Sequence, residues 1–121
     1  MKRICKSIRI YHPHEVIIVN NRFIKTVETA SPTRLLTIGD VSFQIKEYDS
    51  EQGYRSDFTL QCQVKDSDDA LISKYIKGCI LELVDSEGMK IYRGSGDFPV
   101  RFIKNKFPNY ITIDFSQTQP L

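Results

Sequence analysis

Residues 58–65 read Phe-Thr-Leu-Gln-Cys-Gln-Val-Lys, and this stretch decides the fold class. Phe58, Leu60, Cys62 and Val64 alternate with Thr59, Gln61, Gln63 and Lys65. Successive side chains of an extended chain point to opposite faces, so a period of two marks a strand with one core face and one wet face. That division is typical of antiparallel sheets, which can leave one side in water.

The same pattern recurs upstream. Val41, Phe43 and Ile45 face one way, and Ser42, Gln44 and Lys46 the other. Asp49 to Gly53 is a polar turn between the two strands. Gly39-Asp40 breaks or bulges the chain after Leu35, Leu36 and Ile38, and residues 28–33 form a loop punctuated by Pro32. Val16-Ile17-Ile18-Val19 is β-branched throughout and predicts a well-buried strand. The Asn20-Asn21 turn leads to a hairpin partner at Phe23, Ile24 and Val27. Ile4, Ile8 and Ile10 are expected to share the face of a first strand, which His12-Pro13-His14 ends.

Downstream, Asp66 or Ser67 can cap a helix over about 67–77, because their side-chain oxygens accept free backbone N–H groups. Asp68 and Asp69 suit the dipole of its first turn. Leu71, Ile72, Tyr75 and Ile76 form its apolar stripe, and Gly78 its left-handed cap. Cys79 to Val84 is apolar on both faces except at Glu82, as an interior strand requires. Asp85 to Gly88 is a hairpin turn leading back through Met89, Ile91 and Tyr92. Gly94 to Asp97 is a flexible loop ending at Phe98-Pro99. Val100 to Ile103 is a short strand, and 104–109 a loop containing Pro108. Ile111, Ile113 and Phe115 share a face of the last strand, and the tail 116–121 is expected to fray.

About eight strands and one short helix joined by polar connections predict a mainly β fold, an antiparallel sandwich or small barrel with the helix at one end. Strands and helices do not alternate, which disfavours a doubly wound sheet. A length of 121 residues fits a single domain spanning 1–121. Seven Phe and six Tyr supply large pieces of core.

Charge and motifs exclude more than they assign. The net charge of +2, from 17 basic and 15 acidic residues, is small for a dedicated nucleic-acid binder. Three cysteines, Cys5, Cys62 and Cys79, include no CxxC pair and read as buried small hydrophobes in a reducing compartment. No apolar run reaches the roughly 18 residues of a membrane span, and Met1 to Ile10 carries charges throughout and lacks the core of a signal peptide. The expected location is the cytoplasm.

Gly94-Ser-Gly-Asp lacks the Lys and the following helix of a phosphate-binding loop. Asp66 and Asp68 are not followed by the Gly and Glu of a calcium loop. His12 and His14 can face one side, but no further metal ligands are signalled. No nucleophile elbow exists, and Asp85 and Glu87 sit in a hairpin turn where exposed acids are routine. The chain is therefore read as non-enzymatic, with no catalytic residue, cofactor or metal. Tyr92-Arg93, Arg101-Phe102 and Lys106-Phe107 place aromatic beside basic residues, the pattern that single-strand nucleic-acid barrels use. A small barrel binding single-stranded nucleic acid or a small ligand is the alternative function.

The stretch from Cys79 to Phe102, CILELVDSEGMKIYRGSGDFPVRF, is an apolar strand, an Asp-x-x-Gly hairpin, a strand ending in Gly-Ser and an aromatic-Pro step into a third strand. It resembles small β-rich proteins encoded among virion-assembly genes of prophages in Bacteroides-like bacteria. The resemblance implies a structural tail or connector component, located in the virion, that self-assembles or docks to partner chains. It implies no catalytic residues. The expected interaction surface comprises Tyr92, Arg93, Asp97, Phe98, Arg101, Lys104 and Lys106.

Overall fold

The computed structural model describes residues 2–20 and 22–120. Strand accounts for 64% of the chain and helix for 9%, so the fold is mainly β. The strands are β1 (Lys2–Tyr11), β2 (Val16–Val19), β3 (Arg22–Thr26), β4 (Thr33–Leu35), β5 (Val41–Ser50), β6 (Gly53–Lys65), β7 (Ile80–Asp85), β8 (Lys90–Arg93), β9 (Arg101–Phe107) and β10 (Tyr110–Pro120). One helix, α1 (Asp69–Ser73), follows a 3-10 turn at Asp66–Asp68.

Eight of these strands form one sheet in the order β8-β7-β1-β5-β6-β10-β9, with β4 paired to β1. All pairings in it are antiparallel. Cys5 pairs with Val41 on one edge of β1 and with Asp85 on the other, so β4 and β5 lie end to end along the same edge. They act as one strand interrupted at 36–40, the break that Gly39-Asp40 predicts. The sheet curls until its two ends meet. Cys79, just before β7, and Val100, just before β9, exchange backbone hydrogen bonds of 2.9 and 2.8 Å.

The enclosed core takes the alternate residues of each strand. Phe58, Leu60, Cys62 and Val64 meet Phe43, Ile8, Ile10, Leu81, Leu83, Ile111, Ile113 and Phe115. Ile72 and Tyr75 of the helical segment join the same cluster. The Tyr75 hydroxyl lies 2.6 Å from Thr33 Oγ1, and its ring stacks on His12. The segment is shorter than the 67–77 helix that the sequence predicts: hydrogen-bonded turns take over after Ser73. Fewer residues are needed because only Ile72 and Tyr75 reach the core.

Three further expectations are corrected. Ile4 does not share the face of Ile8 and Ile10. A bulge between Cys5 and Ser7 shifts the parity of β1, burying Cys5 and leaving Ile4 57% exposed. The tail does not fray as far as Pro120, because Ser116 to Pro120 pair with Thr59 to Arg55 of β6; Leu121 lies outside the described residues. The segment 104–107 continues β9 rather than forming a loop, and only Pro108-Asn109 turn. Its inward positions, Lys104 and Lys106, stand opposite Ile113 and Ile111. Both reach Asp69 at the start of α1, at 2.5 and 2.6 Å. Inward-pointing charges on an edge strand discourage edge-to-edge pairing.

Three carboxylates pin connections. Asp85 accepts from Arg3 at 2.7 Å and from the Glu87 and Met89 amides. Glu15 accepts from the His12 and Ser31 amides and so holds the 28–33 loop. The Arg3 guanidinium first, then the Met89 amide, hold the Asp85 carboxyl below its ordinary range, and Lys104 and Lys106 do the same for Asp69. Burial pushes the Glu15 carboxyl up, but the amides of Ser31 and His12 outweigh it and leave it low. All three ionise more readily folded than unfolded. Their stabilisation is complete above the unfolded pKa near 4 and is lost as pH falls through the lower folded values. The melting temperature by circular dichroism is expected to stay level from about pH 7 to 5 and to drop below about pH 4. Asp85→Asn and Glu15→Gln should each shrink that drop; an unchanged acid limb in both contradicts the assignment.

Candidate interaction surface

The seven residues expected to form one surface are dispersed. Lys104 and Lys106 tie β9 to α1, as above. Tyr92 lies half-buried on the outer face of β8, where its ring stacks on Phe23 of β3 with centroids 3.8 Å apart. Its hydroxyl donates to Glu82 at 2.9 Å. Burial, then that bond, push the phenol up to about 12. Asp97 and Arg101 are exposed, and Phe98 is half-buried. The loop carrying Asp97 and Phe98 is held at its neck, with the Phe98 amide donating to Ser95 Oγ at 3.0 Å.

Arg93 is not at the surface. It stands opposite Leu81 on the inward face and is 5% exposed. Its two terminal nitrogens donate to Ser56 Oγ at 2.9 Å and to the Ser56 carbonyl at 3.0 Å. The guanidinium lies 5.6 Å from the centre of the Phe58 ring, a cation–π contact. Burial lowers its pKa to about 10, opposed by the charges of Asp57 and Glu47, so it stays charged at neutral pH. Gln117 lies nearby on the same face, opposite Phe58, and donates to the Phe98 carbonyl at 2.8 Å. These polar groups mark where the apolar alternation of β6 and β10 ends. Sequence reasoning placed Arg93 outside because arginine is seldom buried without a carboxylate partner.

The three free thiols are buried. Burial pushes the Cys5 thiol up to about 11 and those of Cys62 and Cys79 up to about 12, far from the thiolate that reacts. His12 and His14 stack on each other with centroids 5.3 Å apart. Among the described residues, no three His, Cys, Asp or Glu groups come together as metal ligands.

Two exposed features bear on recognition. A groove of about 420 Å³ lies on the outer face of β5, β6, β10 and β9, among Ser42, Gln44, Thr59, Gln61, Asp114 and Ser116, with Asp40 and Ile103 at its sides. The neighbouring Phe43, Leu60 and Phe115 are buried in the core, so the groove is polar and carries acids. The other feature is the β2–β3 hairpin, a separate two-stranded sheet outside the barrel. Val16, Ile18 and Phe23 pack inward against Tyr11 and Ile80. Ile17, Val19 and Ile24 are 38%, 53% and 55% exposed. The strand predicted as well buried is therefore buried on one face alone, because the barrel lies on one side of it and none of the described residues covers the other. Val19 stands opposite Arg22, and Ile17 opposite Lys25, which puts both cations on the apolar outer face. The uninterrupted apolar run at 16–19 hid this division.

Comparison with protein-family models, curated proteins and solved structures gives no match for this chain. Among the described residues no helix is long and apolar enough to cross a membrane.

Proposed function

We propose that this chain is a non-enzymatic structural protein that works through protein–protein contact, as a phage tail or connector component does. The observation that carries the reading is the outer face of the β2–β3 hairpin. Ile17, Val19 and Ile24 leave aliphatic surface in water on the outer face of a two-stranded sheet packed against the barrel. A sheet face of this kind, edged by Arg22 and Lys25, has the apolar centre and polar rim of a protein interface. The resemblance of residues 79–102 to prophage virion-assembly proteins points the same way. The working location is then the virion, or the cytoplasm where it is assembled.

The polar groove favours a second reading, a site for a small polar ligand. It speaks against single-stranded nucleic acid, because Asp40 and Asp114 repel phosphate and no aromatic side chain is presented there for stacking. Of the three aromatic–basic pairs, Tyr92-Arg93 has lost its cation to the interior and Phe102 packs on the core.

Size exclusion with light scattering, followed at 260 and 280 nm in low and high salt, tests the proposal. A defined oligomer free of 260 nm absorbance is expected. A monomer carrying nucleic acid that salt strips away overturns the reading.

A further inference from the structure

We infer that the partner of the β2–β3 face is a second copy of this chain, which offers the acidic arm formed by the far end of the β5–β6 hairpin. This inference rests on the protein-contact reading and names its partner. Glu47 and Asp49 occupy alternate positions at the end of β5, Glu51 lies in the turn that follows, and all three are exposed. The register places Tyr54, 63% exposed, directly opposite Asp49 on the same face. The cations of the arm lie on its other side. Lys46 pairs with Asp57, and Arg55 with Tyr48, one residue out of phase with the acids. One face of the arm is thus acidic with an aromatic ring beside it.

The hairpin face is its complement. Two aliphatic side chains, Ile17 and Val19, each stand beside a cation, Lys25 and Arg22. Seating one face on the other covers Ile17 and Val19 with the Tyr54 ring and brings each cation to an acid. Among the described residues, none of the four ion pairs uses Arg22, Lys25, Asp49 or Glu51, so these charges are available for an outside partner, while Glu47 also acts on the buried Arg93. The two faces are different surfaces of the chain, so the contact is head-to-tail. Such contacts close into rings when the rotation allows and otherwise propagate as filaments. Opposite charge on the two faces also opposes hairpin-to-hairpin and arm-to-arm pairing.

Sedimentation velocity over a range of protein concentrations at low salt tests this, with two double variants, Arg22→Glu/Lys25→Glu and Asp49→Lys/Glu51→Lys. All four positions are exposed, so an unchanged melting temperature verifies folding of each. The wild type is expected to associate, each double variant to associate at least about tenfold more weakly, and an equimolar mixture of the two variants to recover association. Association that ignores both reversals overturns the head-to-tail contact while leaving the protein-contact reading in place. A monomer free of nucleic acid overturns the contact and transfers that reading to a different protein partner. A monomer carrying nucleic acid overturns both.

Discussion

Phe58→Ala is expected to destabilise the protein by about 3–5 kcal/mol, the range for deleting a fully enclosed aromatic ring. Phe58 has no exposed surface and lies in the middle of β6, which is paired on one side with β5 and on the other with β10. Its ring is tilted against Phe43 with centroids 6.2 Å apart, and the Arg93 guanidinium lies over its face. Alanine removes the contacts of both neighbours at once. It also leaves Arg93 above a void, with the cost of burying that charge less well offset. Neighbours from β5, β8 and β10 surround the site, so collapse into the cavity is restricted. Urea unfolding of wild type and variant gives the difference. A loss below about 1 kcal/mol would mean that the ring is not enclosed as described.

Gly94→Ala should cost about 2–4 kcal/mol for a different reason, backbone conformation combined with a clash. Gly94 has φ +105°, a region that residues with a Cβ adopt only under strain. An added Cβ would stand 2.9 Å from the Cys79 carbonyl oxygen and 3.2 Å from Val100 Cγ2. Cys79 and Val100 make the bridge at which the sheet closes, so the methyl group would push at the seam of the barrel. Gly96→Ala is the internal control. Nothing lies within 4 Å of the added atom there and φ is not positive, so a change within about 0.5 kcal/mol is expected. Equal losses at both positions would remove the seam as the explanation.

The central strands were legible because each has one enclosed face and one wet face. The alternation at 58–65, 41–45 and 111–115 maps directly onto burial. The doubly apolar run from Cys79 is likewise interior, with the barrel core on one face and the β2–β3 hairpin over Ile80 on the other. The failures have physical causes. The bulge after Cys5 inverts the parity of Ile4 without a Gly or Pro to mark it. Lys104, Asn105 and Lys106 read as loop because charged residues are rare on inward strand positions, yet Asp69 lies within reach of both lysines. Gln117 and Gln119 read as tail because their face has left the apolar core, while the backbone ladder to β6 continues.

The surface was the least legible. Tyr92 and Arg93 are sequence neighbours that point to opposite faces of β8, one beneath the hairpin and one into the barrel. The residues of the proposed interface, Ile17, Val19, Arg22 and Lys25, are brought together by the register of β2 with β3. That register includes an irregularity between Ile17 and Ile18, which alternation counting does not anticipate. Asp49 and Glu51 of the β5–β6 arm read simply as part of a polar turn.

Hydrogen–deuterium exchange of the wild-type chain, compared between dilute and concentrated samples at low salt, tests the interface most directly. The account predicts that segments 16–26 and 47–54 gain protection together as concentration rises, with the rest of the barrel unchanged. Protection that develops over other strands while both of these segments exchange as fast as in the dilute sample would contradict it.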